Sequence, residues 1–216
     1  SSLVVGELDT SKELMLAYLG PAGTFTEQAV YSQVDLLDCA LTPTGSIPEV
    51  LRMVTAGQAD LGFVAIENSI EGSVNITQDT LAFDADLLIQ REVVIGIELN
   101  LLAPAGTGLA DIKQVASFPH AIAQCRGWLT DNLPDAVTDA ANSTADAARR
   151  VASADETGTA AIATRRAAEA YGLEVLAAHI EDHPENETRF VVVAADGVPP
   201  PSGHDKTSVV VFQDAD

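Results

Sequence analysis

Met15-Leu16-Ala17-Tyr18-Leu19-Gly20-Pro21-Ala22-Gly23-Thr24-Phe25-Thr26-Glu27 reads as a buried strand, a tight turn and a helix start in immediate succession. The apolar run suits a short strand, and Gly-Pro-Ala-Gly is turn chemistry. Thr24 followed three residues later by Glu27 is a capping box that starts a helix. The unit then returns. Leu36 to Leu41 is strand-like, Ser46-Ile47-Pro48-Glu49 is a second capping box ahead of an apolar-periodic helix to about Ala56, and Leu61 to Ile66 is a third strand. After Glu67-Asn68-Ser69-Ile70-Glu71-Gly72-Ser73 the pattern predicts a short helix over Gln78 to Phe83, then a long β-rich segment from Leu87 to Leu102.

A second set follows. It comprises a strand at Gln114 to Ser117, a helix opened by Pro119, a strand near Ala136 to Asp139 and a helix capped by Asn142-Ser143-Thr144. A strand at Thr159 to Ala163, a helix from Arg165 to Tyr171 stopped by Gly172, a strand at Leu173 to His179 and a last one at Arg189 to Ala194 complete it. Such alternation argues for mostly parallel α/β sheets. With 216 residues, 47% of them hydrophobic, the chain has enough apolar material for two small cores. Residues 197–204, with Pro199-Pro200-Pro201, read as a linker, and Lys206 to Phe212 as the first strand of a further unit.

A net charge of −21 with only 11 Lys and Arg disfavours nucleic acid and anionic membranes, which are bound largely through cations on phosphate. No stretch approaches the ~20 apolar residues of a membrane span, and residues 1–14 lack the basic start and apolar run of a signal peptide. Cys39 and Cys125 have neither pairing nor metal-ligand spacing, so the reading is a cytoplasmic protein with reduced thiols and no metal. The scarcity of cations makes any Arg inside a motif informative.

In open α/β sheets, ligands gather where strand ends meet helix starts. The turns at Gly20 to Thr24, Glu67 to Ser73, Ser117 to His120 and Asn142 to Thr144 are rich in Gly, Ser, Thr and Asn, which suits a small polyanion held by neutral donors. Each cap taken singly equally satisfies its own helix end. Glu67-Asn68, directly after the apolar strand Gly62 to Ile66, places an acid and an amide at a strand's carboxyl end. His120 is either a base or a structural residue of its helix.

These turns, in order, resemble the motifs of prephenate dehydratases: Tyr18-Leu19-Gly20-Pro21 with Gly23-Thr24-Phe25, Glu67-Asn68-Ser69-Ile70-Glu71-Gly72-Ser73, Ser117-Phe118-Pro119-His120 with Gln124-Cys125, Asn142-Ser143-Thr144, and Thr188-Arg189-Phe190. The resemblance implies a two-lobed fold similar to type II periplasmic binding proteins, with the active site in the interlobe cleft. Lobe 1 is expected over residues 14–93 plus 189–196 and lobe 2 over 94–188. It further implies decarboxylating dehydration of prephenate to phenylpyruvate, without cofactor or metal, in phenylalanine biosynthesis.

The implied catalytic residues are Thr188, as a hydrogen-bond donor to the departing oxygen, with Glu67 as proton source if burial keeps it protonated, and Asn68. Arg189 is expected on a substrate carboxylate, with a structural ion pair as its alternative. Phe190, Thr24, Ser69, Gly72, Ser73, Ser117, Gln124, Asn142, Ser143 and Thr144 are expected to contact substrate. A homodimer or homotetramer is implied. The family's regulatory ACT domain would begin at 205–216 and be truncated here, so the phenylalanine effector site is expected to be missing. Two other readings compete: arogenate dehydratase, which acts on the amino analogue, and a solute-binding protein of the same fold.

Overall fold

The computed structural model describes residues 13–153, 158–197, 200–201, 203–207 and 209. In chain order the elements are β1 (Met15–Leu19), α1 (Phe25–Tyr31), β2 (Ala40–Thr44), α2 (Ile47–Thr55), β3 (Leu61–Asn68), β4 (Gly72–Ser73), α3 (Asn75–Asp79), β5 (Leu88–Gly96) and β6 (Asn100–Ala103). They continue with β7 (Gln114–Ser117), α4 (Pro119–Gln124), α5 (Arg126–Asn132), β8 (Val137–Ala140), α6 (Thr144–Ser153), β9 (Thr159–Ala163), α7 (Arg165–Tyr171), β10 (Glu174–Ala177) and β11 (Glu187–Ala194). Among the described residues no helix is long and apolar enough to cross a membrane.

The elements form two α/β lobes with the same plan. In lobe 1 the strand order is β2-β1-β3-β11-β5, and in lobe 2 it is β8-β7-β9-β6-β10. Each sheet has parallel pairing around its first strand, β1 with β2 and β3, β7 with β8 and β9. Each then receives, antiparallel, the strand that has just crossed from the other lobe: β11 beside β3 and β5, β6 beside β9 and β10. The two-lobed α/β architecture expected from the motifs is therefore present, but each sheet is mixed rather than mostly parallel, because the crossing strands enter antiparallel.

Alternation along the strands builds two apolar faces per lobe. Leu16, Tyr18, Phe63, Phe190 and Val192 pack beneath α1, while Ala17, Val64, Val191 and Val193 pack against Val50, Leu51 and Val54 of α2. In lobe 2, Leu99, Leu101, Val115 and Ile162 meet Cys125 and Leu129, and the opposite face is largely alanine against α6 and α7. Cys125 is fully buried, and its thiol is raised by that burial.

Several boundaries differ from the sequence reading. Leu36 to Leu41 is not one strand: residues 34–36 form a single helical turn that plugs Leu36 into the core, and β2 begins only at Ala40. The helix opened by Pro119 breaks at Cys125 and resumes as α5. The Leu87 to Leu102 segment is two strands in two sheets, because its middle is the crossing itself. There Ile97 N donates to Asn186 O at 2.8 Å and Ile180 N to Leu99 O at 2.9 Å. The sheets consequently divide at Gly96 and Glu187 rather than at 93 and 188, and Thr188 belongs to the lobe 1 sheet. The expected linker is described only in part, and the expected strand at Lys206 to Phe212 lies largely outside the described residues.

The lobes close on one another at the first motif. Thr164 Oγ1 donates to Gly23 O at 2.7 Å, and Tyr171 OH donates to Ala22 O at 2.7 Å. Gly23 has φ +86°, and a Cβ there would come within 2.9 Å of Ala167 Cα, so only glycine allows this approach. Glu27, 5% exposed, accepts from Tyr18 OH at 3.0 Å and Gly23 N at 2.7 Å, and lies 3.3 Å from Arg166 Nε. Burial together with the Glu27 carboxylate drives the Tyr18 phenol well above its ordinary range. Arg166 also stacks over the Tyr31 ring at 4.0 Å, so one lobe 2 cation meets two lobe 1 side chains. Replacing Glu27 by alanine leaves the Tyr18 hydroxyl and the Gly23 amide without their acceptor and Arg166 with Glu169 alone. The expected loss is about 2–3 kcal/mol of unfolding free energy in urea titration.

Candidate active site

The turns after β1, β3, β7, β8 and β9 all lie at the carboxyl ends of parallel strands, as does the start of each crossing strand. Thr188 is the second residue of β11 and pairs with Asn68, the last residue of β3. Both are 9% exposed.

Asn68 Nδ2 donates to Thr188 Oγ1 at 2.8 Å and to Asn186 Oδ1 at 2.9 Å, while its Oδ1 accepts from Ile70 N at 2.9 Å and Glu71 N at 3.0 Å. All four hydrogen-bonding positions of this amide are used, and that fixes which atom is oxygen and which is nitrogen. Two consequences follow. Asn68 has no free donor for a ligand. Thr188 Oγ1 accepts from Asn68, and its own hydroxyl hydrogen has no protein acceptor among the described residues. The hydroxyl is thereby presented as a donor.

Asn186, 2% exposed, is a member of this group that sequence reading missed. It lies two residues before Thr188, on the same side of an extended segment, and that period-two relation was the available signal. Ser69 ties the same strand start in place: its N donates to Glu187 O at 2.8 Å, and its Oγ accepts from Glu187 N at 2.9 Å.

Glu67 and Arg189 are not brought to this group. They are register partners on β3 and β11, one position from Asn68 and Thr188, so strand alternation turns them to the opposite face. There Arg189 Nε lies 3.3 Å from Glu67 Oε2, and Nη1 donates to Glu92 Oε2 at 2.7 Å. Lys206 Nζ bonds the other Glu92 oxygen at 2.6 Å. Burial works to raise the Glu92 carboxyl, but hydrogen bonds from Lys206 and Arg189 outweigh it and hold the group below its ordinary range. The substrate-carboxylate role expected of Arg189 has no geometric basis, because its guanidinium is engaged by two acids away from Thr188. The Glu67 side chain is 51% exposed beside that cation, which removes the burial its proton-donor role required.

Phe190 also departs from its expected contact role. It is 1% exposed and stacks on Phe63 with centroids 5.3 Å apart, within the lobe 1 core. Ser117, wholly buried, donates its hydroxyl to Ile162 O at 2.7 Å and so braces β7 against β9. Thr24 Oγ1 accepts from Glu27 N and Ser143 Oγ from Asp146 N, both acting as helix caps. Gly72 and Ser73 form the exposed β4 opposite Asn68 and Glu67. Gln124 ends α4 half-buried, Asn142 is exposed, and Thr144 opens α6. Across the lobes, His120 Nε2 lies 2.9 Å from Glu71 Oε1, an off-axis approach that attracts only when the imidazole is protonated. No group of three His, Cys, Asp or Glu among the described residues is placed to hold a metal ion.

The family model for prephenate dehydratase matches residues 16–198. A prephenate dehydratase of Mycolicibacterium gilvum is 43% identical over 214 residues, covering 92% of this chain and 67% of the relative. A bifunctional chorismate mutase/prephenate dehydratase of Stutzerimonas stutzeri is 42% identical over 204 residues, covering 94% of this chain and 54% of that protein. The crystal structure of an Arthrobacter aurescens prephenate dehydratase in complex with L-Phe superposes with TM-score 0.81 at 38% identity, covering 88% of this chain and 63% of that one. The chain thus spans between about half and two thirds of the length of these relatives. With the Thr188–Asn68 pairing at the head of the crossing strand and a family match across both lobes, the chain belongs to the prephenate dehydratase family.

Proposed function

We propose that this chain converts prephenate to phenylpyruvate, carbon dioxide and water. The observation that carries the reading is the Thr188 hydroxyl, which accepts from Asn68 and whose hydrogen has no protein acceptor among the described residues. In the reaction the bond to the ring carboxylate breaks, its electron pair enters the ring, and the ring hydroxyl leaves as the ring becomes aromatic. The departing oxygen gains negative charge late in the process, so a donor aimed at it stabilises the transition state more than the ground state. Thr188 supplies that donor. An alcohol does not ionise near neutral pH, so its contribution is a hydrogen bond, and the proton that completes water comes from solvent or a further acid.

Asn68 acts through Thr188 by occupying its acceptor side, and Asn186 and Ser69 act through Asn68 and the strand start. The separate thiols Cys39 and Cys125 support a reducing, cytoplasmic setting.

Thr188→Ala is expected to lower kcat by about 10²–10³-fold, the usual effect of losing one oxyanion-type donor, with KM little changed. Thr188→Ser restores most of it. Phenylpyruvate formation followed at its alkaline absorbance checks this, and full activity in the alanine variant would contradict the assignment. Arg189→Gln is expected to leave KM for prephenate within about twofold, because a lost carboxylate contact would instead cost tenfold or more. Steady-state kinetics with circular dichroism on the same sample separates the two.

A further inference from the structure

The repeated sheet plan gives Thr188 a counterpart in lobe 2. In lobe 1 the last residue of the third strand, Asn68, pairs with Thr188 on the crossing strand. In lobe 2 the last residue of the third strand, Ala163, pairs with Asn100 on the crossing strand. The residue after Ala163 is Thr164, which bonds Gly23 of lobe 1, so this rung of the sheet faces the other lobe.

Asn100 is 1% exposed. Leu99 and Leu101 point to the face covered by α4 and α5, so alternation sends Asn100, with Leu102, to the face where α6 and α7 begin. Its Nδ2 makes only long bonds, 3.4 Å to Glu98 O and 3.4 Å to Ala163 O. Those two carbonyls fix the amide orientation, since exchanging oxygen and nitrogen would set acceptor against acceptor. The Oδ1 atom is buried and has no hydrogen-bond partner among the described residues. The fully bonded amide of Asn68 in lobe 1 shows the contrast: there all four positions are filled.

A buried acceptor left unpaired destabilises a fold, and natural interiors rarely keep one without use. We infer that Asn100 is a ligand-contact residue, the lobe 2 counterpart of Thr188, whose amide oxygen receives a hydrogen bond at the end of the substrate opposite the departing hydroxyl. The donor is either an ammonium group on the substrate side chain or a water held there by an oxo acid. This rests on the prephenate reading for the identity of the substrate, not for the site.

The test uses the 216-residue chain with Asn100→Leu and Asn100→Asp, assayed with prephenate and with its amino counterpart. Asn100→Leu, which removes the unpaired acceptor, keeps or raises the thermal midpoint while raising KM about tenfold or more, with kcat changed far less than in Thr188→Ala. A rise for the amino compound alone identifies the ammonium, and a rise for both identifies bridging water. Asn100→Asp retains an acceptor but sets its second oxygen against Glu98 O and Ala163 O, so its thermal midpoint falls while its KM for the amino compound rises less than in Asn100→Leu. Unchanged KM for both compounds in Asn100→Leu, or a drop in its midpoint with no KM change, overturns the inference. If wild type turns over neither compound, the reaction reading has failed. Asn100 is then judged on the ligand-induced midpoint shift, where a shift lost in Asn100→Leu supports it, and a shift retained, or none in wild type, overturns it.

Discussion

The amide of Asn68 is the constraint on which the site depends. Its four hydrogen bonds join the end of β3, the turn that follows, the crossing segment at Asn186 and the hydroxyl of Thr188. A buried amide satisfied at every position tolerates little displacement, because each lost bond strands a polar group away from water. The same bonds decide the polarity of Thr188. A threonine hydroxyl can accept or donate, and here Asn68 uses it as an acceptor while its hydrogen has no protein acceptor among the described residues.

That arrangement has meaning only because two lobes meet over it. Glu27 gathers Tyr18, the Gly23 amide and Arg166 into one buried contact, and Gly23 lets α7 approach closer than any side chain would permit. Both lobes share one strand plan, and the crossing strands enter each sheet beside its third strand. The fold thus presents two equivalent register positions, one in each lobe, filled by Thr188 and Asn100. Catalysis by donor placement, with little covalent participation by the protein, fits a reaction driven by formation of an aromatic ring.

Much of this was legible in the sequence. The strand, the turn and the Thr24 cap from Met15 to Glu27 appear in their read places, though Glu27 takes Gly23 N rather than closing a capping box on Thr24, and so do the Ser46 cap, β7, β9 and the α7 stop at Gly172, whose φ is +69°. What failed had physical causes. Local pattern does not show which face of a strand meets the cleft, so Arg189 kept both a substrate carboxylate and a structural ion pair as readings, and Glu67 kept a proton-donor role. Alternation placed them in a surface ion-pair cluster with Glu92 and Lys206 instead. Phe190 resembled a ring contact in sequence but was claimed by the Phe63 core. Glu27 read as a capping partner only, since its contact with Arg166 spans 139 residues. Asn100 lay within an apolar run, and only sheet register reveals its relation to Thr188.

The central claim is that Asn68 works through the Thr188 hydroxyl, and a double-mutant cycle on kcat tests it most directly. Asn68→Ala, Thr188→Ala and the double variant are compared under conditions where all three fold. If Asn68 acts through Thr188, the double variant is no slower than Thr188→Ala alone, because the amide has nothing left to orient. Losses that multiply independently would contradict the account and give Asn68 a separate contact with the substrate.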